Sequence, residues 1–515
     1  MPETLSRLRG VDPWGPVLAV AGLAVFLVHG FQGVLTRDLA LYAYGGQQFA
    51  EGVPPYVSVL NRAGPLAHMV PGVATWLGRL LGADSGADDL MAMRTLMAVL
   101  SVVSVWVVYL LARDAFGSRV AGVAAASSLL AFQGFVTYAT GGPREKTTMM
   151  LLVALSLWAV IHRRWGWAGT TLALATLTWQ PVFFGGAASA VVGALLVRGW
   201  RGRVTALARF AAGGILTTAA FVLYFWVVDA LREFLDAFYF INATYTDQEN
   251  LLEFLESETD EITGAFGWSL WLILLGLLAM VVLGVLGALG VLAARRVHDM
   301  DRRRVAAVAL GSGTLASGCW SVYVFNGWGD AVFMLPFAAA GLGGLVHALR
   351  RLAPGRAGRA GAAAYVLAVL VAGTLNAWDT RDERLTAMRE VNQGVLEAVG
   401  PDATVLSVGA PQPLVFGRLE NPIYHQMFIA GLYEYVDDTW PGGTAGLASE
   451  IEDRRPTVIT VDHPSWYAFI RPVLARHYEE LGETYLMTWY VDRSIGEAEL
   501  ERLRRIVDVD LPEHD

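Results

Sequence analysis

Apolar residues along this chain gather into long runs, and those runs dominate everything up to residue 378. The approximate spans are 14–35, 91–111, 119–138, 147–161, 167–179, 182–197, 209–228, 268–293, 305–325, 331–349 and 361–377. A helix of roughly 18 or more apolar residues can cross about 30 Å of hydrocarbon. The pattern predicts a polytopic α-helical membrane protein with about eleven transmembrane helices. The spans 167–179 and 182–197 are short and parted only by Trp179-Gln180-Pro181, which leaves that count open by one.

The loops between the runs alternate in charge. Arg113 and Arg119, His162-Arg163-Arg164, Arg198 to Arg209, Arg295 to Arg304 and Arg350 to Arg359 all fall on one side. The positive-inside rule places that side in the cytoplasm, together with the N-terminus. Loops 36–90, 139–146, 229–267 and 326–330, and everything after 378, then lie outside. The acidic run 247–261 agrees with that side. Arg7 and Arg9 precede the first run, but no small-x-small cleavage site follows before Asp38, so a retained first helix is expected.

Composition adds a second region. The chain has 515 residues, 55% hydrophobic and 17% charged, with a net charge of −9. Residues 379–515 hold 25 acids and 12 arginines, leaving residues 1–378 mildly basic. This predicts a transmembrane core over 1–378 and an external α/β domain over 379–515. Thr404–Val408 and Thr457–Val461 read as strands, and 383–399, 445–453, 465–480 and 495–506 as helices. The lone Cys319 allows no disulfide within one chain. Lys146 is the only lysine, a bias that fits a GC-rich bacterial genome.

Candidate chemistry concentrates in the external loops, which fits an enzyme at the interface better than an ion-coupled transporter. Asp38 directly follows the first apolar run and suits a general base, although position alone fits a solvated boundary residue more readily. Arg144-Glu145-Lys146 opens a helix, so backbone N–H groups there add to two cations that an external loop would normally avoid. Arg62 offers a guanidinium for phosphate or a partner for Asp38 or Glu51. Tyr42, Tyr239, Asn242, Tyr245, Gln180 and Asp330 are weaker candidates for a lipid or sugar groove, with interfacial anchoring the plainer account of the 231–242 stretch. His68 reads as a packed residue. Asp437-Asp438 and Asp462-His463 read as turn and cap residues more readily than as metal ligands. P-loop, GxSxG and HExxH motifs are absent.

The order Asp38, Tyr42, Gly52, Pro54-Pro55-Tyr56 and Gly64-Pro65-Leu66 after a first helix resembles the integral-membrane C-class glycosyltransferases. It is most similar to bacterial polyprenyl-phosphate-sugar transferases of the mannosyltransferase-like kind. The resemblance implies an inverting transfer of a mannose- or arabinose-type sugar from a polyprenyl-phosphate donor to a glycan or glycolipid acceptor. It implies Asp38 as catalytic base and Arg62, Arg144 and Lys146 at the donor phosphate. Relatives often carry two acids after the first helix, whereas here only Asp38 occurs between residues 13 and 50. A second acid is to be sought at Glu51, Glu145 or Asp330. The expected setting is the bacterial plasma membrane, with lipids as partners, no nucleic acid and no cofactor; participation of a divalent ion is left open. The rival reading is a lipid-linked oligosaccharide transporter or a non-catalytic envelope-assembly factor.

Overall fold

A computed structural model describes residues 12–245, 253, 255–256, 259–293, 301–429, 431–485 and 487–508. The acidic run 247–261 falls largely outside the described residues, as do Arg295 and Arg296. Every one of the eleven apolar runs is helical. Among the described residues, six helices are long and apolar enough to cross a membrane by length and composition: Gly86–Phe116, Trp200–Val227, Ser269–Val291, Arg302–Tyr323, Trp328–Leu352 and Arg356–Asp379. Arg119–Ala131 and Gln133–Gly141 form a further apolar pair bent by 68°. The protein is a multi-pass membrane protein.

Local sequence explains where these helices begin and break. Ser85 and Asp88 cap Gly86–Phe116 reciprocally: each backbone N–H donates to the other's side chain, at 3.2 and 3.1 Å. Gly117 ends that helix in the left-handed conformation. The bend at Phe132 frees the N–H of Gln133, which donates to Ser269 Oγ at 3.2 Å instead. Helices Trp165–Thr176 and Trp200–Val227 meet backbone to backbone, since a Cβ at Gly169 would lie 1.9 Å from the Phe210 carbonyl oxygen. Small residues permit such close crossings in lipid. The outer face of Trp200–Val227 leaves Ile215, Leu216 and Trp226 exposed, as a lipid-facing surface requires.

The C-terminal region carries a four-stranded sheet in the order β1-β2-β4-β3, with β1 Val405–Val408, β2 Val458–Val461, β3 Tyr478–Thr484 and β4 Met487–Asp492. β1 and β2 pair in parallel, Val405 opposite Val458, while β4 runs antiparallel to both its neighbours. β1, β2 and β4 are buried throughout, because helices cover both faces of the sheet. The two expected strands are therefore present, and two more accompany them. The helix expected over 465–480 is confined to Arg471–His477, and the chain turns into β3 at Tyr478. Burial recurs at every third residue along Tyr478–Thr484, where the bulge at Glu480/Gly482 interrupts the period of two, and this imitates helical spacing in the sequence.

This region is joined to the helices by shared core and by polar clasps. Leu35, Leu41, Tyr44 and Met93 pack in one cluster with Met388, Leu414, Val415 and Trp489. Leu60 donates its N–H to the Tyr424 carbonyl at 3.0 Å, and Leu385 donates to that of Gln32 at 2.9 Å. Asp89, wholly buried, is gripped by Arg79 at 2.9 Å and by Arg418 at 2.8 Å, with Gln47 donating at 3.2 Å. Arg418 also donates to the carbonyls of Ala83, Asp84 and Ser85. Asp89→Ala leaves two guanidinium groups facing one another and is expected to cost about 3 kcal/mol. It should lower the melting temperature and speed amide exchange over residues 412–418. Unchanged melting and exchange would show that the clasp is dispensable.

Candidate active site

The site begins with a buried arginine. Arg94, fully enclosed, donates to the carbonyls of Phe31 at 2.6 Å, Gly33 at 2.8 Å and Gly142 at 3.1 Å. It thereby ties the exit of the first helix, Trp14–His29, to the turn that precedes Glu145–Ile161. Asp38 lies in the first turn of helix Arg37–Ala50, where the N-terminal dipole favours a carboxylate. Arg144 is the N-cap residue of Glu145–Ile161. The clasp brings these two helix starts together.

What results is a continuous chain of charges. Arg144 Nη1 donates to Asp38 Oδ2 at 2.5 Å, and Arg37 Nε donates to Asp38 Oδ1 at 3.3 Å. Arg144 Nε lies 3.1 Å from Glu145 Oε2, a charge contact without hydrogen-bond alignment. Lys146 Nζ, almost fully buried, lies 3.4 Å from Glu145 and donates to Asp330 at 3.0 Å. The ammonium also rests 3.3 Å from the centroid of the Trp179 ring. Gly329 lets Asp330 approach, since a Cβ there would lie 2.7 Å from the Tyr138 hydroxyl. Arg144 further faces the rings of Tyr42 and Tyr138, at 5.5 and 5.7 Å.

Electrostatics follow from this geometry. Burial pushes the Asp38 carboxyl up, but Arg144 and then Arg37 outweigh burial and hold it at about 2, below the ordinary 3.8. Burial, with Glu145 beside it, lifts the Tyr42 phenol well above its usual range. Arg144 is held charged because Glu145 and Asp38 overcome its own burial cost. Asp38 still exposes a third of its side chain, enough for a small hydroxyl to reach it.

Of the residues singled out in the sequence, Asp38, Tyr42, Arg144, Lys146 and Asp330 form one cluster. Glu145 joins Asp38 through Arg144 and Asp330 follows through Lys146, while Glu51 pairs instead with Arg79 at 3.2 Å. Arg62 is half-buried beside the 177–180 corner, and its carbonyl accepts from Gln180 and Asn242, both at 2.9 Å. Gln180 and Asn242 thus serve the backbone through their amides. Tyr239 is largely exposed next to Phe240, and Tyr245 stacks edge-on with Tyr435 at 5.4 Å. His68 is buried among Tyr42 and Tyr56, which keeps the ring neutral with its pKa lowered to about 4. Asp437 caps Thr444 as a turn residue. Asp462 does more than cap, as it accepts from Arg37 at 2.8 Å. Sequence reasoning missed Arg37, Arg94 and Trp179; Arg37 was adjacent to Asp38, and Arg94 was a lone charge inside an expected span.

An apolar groove of about 960 Å3 runs between Trp165–Thr176, Trp200–Val227 and the start of Val182–Leu195. Its walls include Leu172, Leu177, Phe183, Phe210, Val222 and Phe238. Leu177 leads within two residues to Trp179, the ring under Lys146. At this point the groove wall and the charge cluster are two residues apart along the chain.

No family model matches the sequence, and no curated protein does. Among solved structures, ArnT from Cupriavidus metallidurans in the apo state superposes with a TM-score of 0.61 at 14% identity, over 96% of this chain and 99% of that one. ArnT bound to undecaprenyl phosphate gives 0.62 at 14% identity, over 93% and 97%. The Archaeoglobus fulgidus oligosaccharyltransferase in the apo form gives 0.51 at 13% identity, over 91% of this chain and 73% of that one. The protein has the C-class glycosyltransferase fold. Within that fold, the charge cluster stands where the first long loop, the 142–146 turn and the C-terminal region meet.

The Asp38 pair has a pH signature. Because its folded pKa lies below the unfolded one, it contributes stability above pH 4 that is lost as pH falls toward 2. Arg144→Gln removes the largest favourable partner, so the Asp38 pKa rises toward its unfolded value and the stability lost between pH 4 and 2 shrinks. Melting temperature measured between pH 2 and 6 checks this; superposable profiles for both proteins would contradict it.

Proposed function

We propose that this protein is a membrane glycosyltransferase that moves a sugar from a polyprenyl-phosphate donor to an extracytoplasmic glycan or glycolipid acceptor. The observation that carries the reading is the linked cluster of Asp38, Arg144, Glu145 and Lys146, whose partner ring Trp179 lies two residues along the chain from Leu177 in the wall of an apolar groove. An isoprenoid chain needs an apolar channel open to lipid, and its phosphate needs cations at the channel's head. Lys146 and Arg144 supply those cations, with Arg62 on the neighbouring segment. Arg94 and Arg113 lie at opposite ends of Gly86–Phe116, and the arginine-rich loops share the Arg113 end. That distribution supports an extracytoplasmic site in a bacterial plasma membrane.

The chemistry is a single displacement. Asp38 accepts the proton of an acceptor hydroxyl as that oxygen bonds to the anomeric carbon. The bond from this carbon to the phosphate oxygen breaks, and its electron pair leaves on the polyprenyl phosphate. Lys146 and Arg144 stabilise the charge that collects there. Attack opposite the leaving group inverts the anomeric centre.

At rest Arg144 holds Asp38 at about 2, too acidic for an efficient base. A donor phosphate drawing Arg144 to itself removes that restraint and raises the basicity of Asp38. The test uses purified protein with radiolabelled polyprenyl-phosphate mannose or arabinose and candidate acceptors. Asp38→Asn should lower transfer by about 10²–10⁴-fold while keeping donor affinity. Arg144→Gln combined with Lys146→Met should raise the donor KM at least tenfold. Full transfer by Asp38→Asn, or unchanged donor affinity in the double variant, would sink the respective assignment. Gly214→Phe, which narrows the groove, should penalise a long-chain donor more than a short-chain one; equal effects would remove the groove from the donor site.

A further inference from the structure

The loop after β2, residues 462–470, carries groups that the displacement does not use. Asp462 is buried, and its Oδ2 accepts from Arg37 Nη1 at 2.8 Å while Oδ1 accepts from the His463 N–H at 2.8 Å. Arg37 also donates to Asp38, so this loop is fastened to the neighbour of the proposed base. The loop is stiffened internally. Trp466 donates its N–H to the His463 carbonyl at 2.9 Å, and Arg471 donates to the carbonyls of Pro464 and Ser465.

On this anchor Trp466 projects with 54% of its surface exposed. The His463 ring lies 4.2 Å away, and the Arg37 guanidinium is 6.0 Å from the indole centroid. An exposed indole on a rigid polar loop forgoes burial that a large apolar side chain would otherwise gain. A lipid-belt tryptophan would stand among apolar neighbours. Here the surroundings are Asp462, His463 and Arg37. The other side of the same loop, Pro464 and Ser465, rims a cavity of about 490 Å3 with Tyr490, Glu480 and Arg493 in its wall.

A sugar ring presents C–H groups on one face and hydroxyls around its edge. Such a ligand calls for a flat aromatic surface flanked by hydrogen-bonding charges of both signs, which this corner provides. We propose that Trp466, with His463 and Arg37, forms the acceptor subsite, stacking a neutral sugar unit so that its hydroxyl faces Asp38. The rest of the glycan extends toward the 464–465 cavity. This subsite rests on the reading of Asp38 as the base.

The probes are mannotriose, an arabinofuranosyl trisaccharide and maltotriose, with binding to detergent-solubilised protein followed by saturation-transfer NMR and calorimetry. At least one should bind the wild type, bind Trp466→Ala tenfold or more weakly, and bind Trp466→Tyr nearly as well as the wild type. Melting temperature should be unchanged in both variants, since the side chain is exposed. In the transfer assay Trp466→Ala should raise the acceptor KM about tenfold and leave the donor KM unchanged. Equal affinity for Trp466→Ala, or no binding by the wild type, overturns the subsite. Trp466-dependent binding without transfer from any donor supports the subsite while refuting the transferase reading.

Discussion

The constraint on which the site depends is the burial of Arg94. A guanidinium enclosed by protein forfeits its hydration, and only well-placed acceptors make that tolerable. Three carbonyls do so, and they belong to two segments far apart in sequence: residues 31–33 and residue 142. Satisfying Arg94 therefore requires the first helix exit and the 142–146 turn to stand side by side. Once they do, Asp38 and Arg144 fall within 2.5 Å. Asp382 reinforces the same junction by accepting from the Val34 N–H at 2.9 Å, which couples the chain beyond the last apolar helix to the first loop.

The resulting cluster is not an excess of positive charge awaiting an anion. Arg37, Arg144 and Lys146 are matched by Asp38, Glu145, Asp330 and Asp462. An arriving phosphate must therefore compete with carboxylates already in place. Such competition is useful where a base has to be inactive until the donor is bound, because a premature base serves no purpose. Under the proposed function, the 2.5 Å pair between Asp38 and Arg144 is the contact that donor binding exchanges. Lys146 is differently placed: nearly enclosed, it keeps Glu145, Asp330 and the Trp179 ring around it whatever Arg144 does.

How much of this was legible in the sequence depended on the range of the interaction. Apolar runs report a local property, and all eleven proved helical. Asp38, Arg144, Lys146 and Asp330 were visible because charges at the margins of apolar runs stand out. Arg94 was hidden for the opposite reason: one charge within 91–111 barely alters the mean of an apolar window. The Arg37–Asp462 bridge joins residues 425 positions apart, and nothing local marks either as a partner. The apolar groove was equally invisible, since its walls bring together residues of separate helices, such as Leu172, Phe183 and Val222, whose meeting no local pattern reports. β3 was lost because a bulge at Glu480/Gly482 breaks the period of two that betrays a strand.

Asp38 divides the site into two sides. Its Oδ2 faces Arg144, which leads through Glu145 to Lys146 and Trp179. Its Oδ1 faces Arg37, which leads to Asp462 and the Trp466 loop. An inverting displacement demands that the nucleophile and the leaving group approach one carbon from opposite directions. Under the proposed function, a base with one oxygen toward each side, each already paired with a guanidinium, is released by events on the donor side and aimed by contacts on the acceptor side. On that reading the opening loop supplies Asp38, the 142–146 turn the donor side, and the C-terminal region the acceptor side. That division gives a physical reason for the clasp at Asp89 and Arg418: without the C-terminal region held in place, Arg37 would lose Asp462 and Asp38 would lose its orientation toward the acceptor.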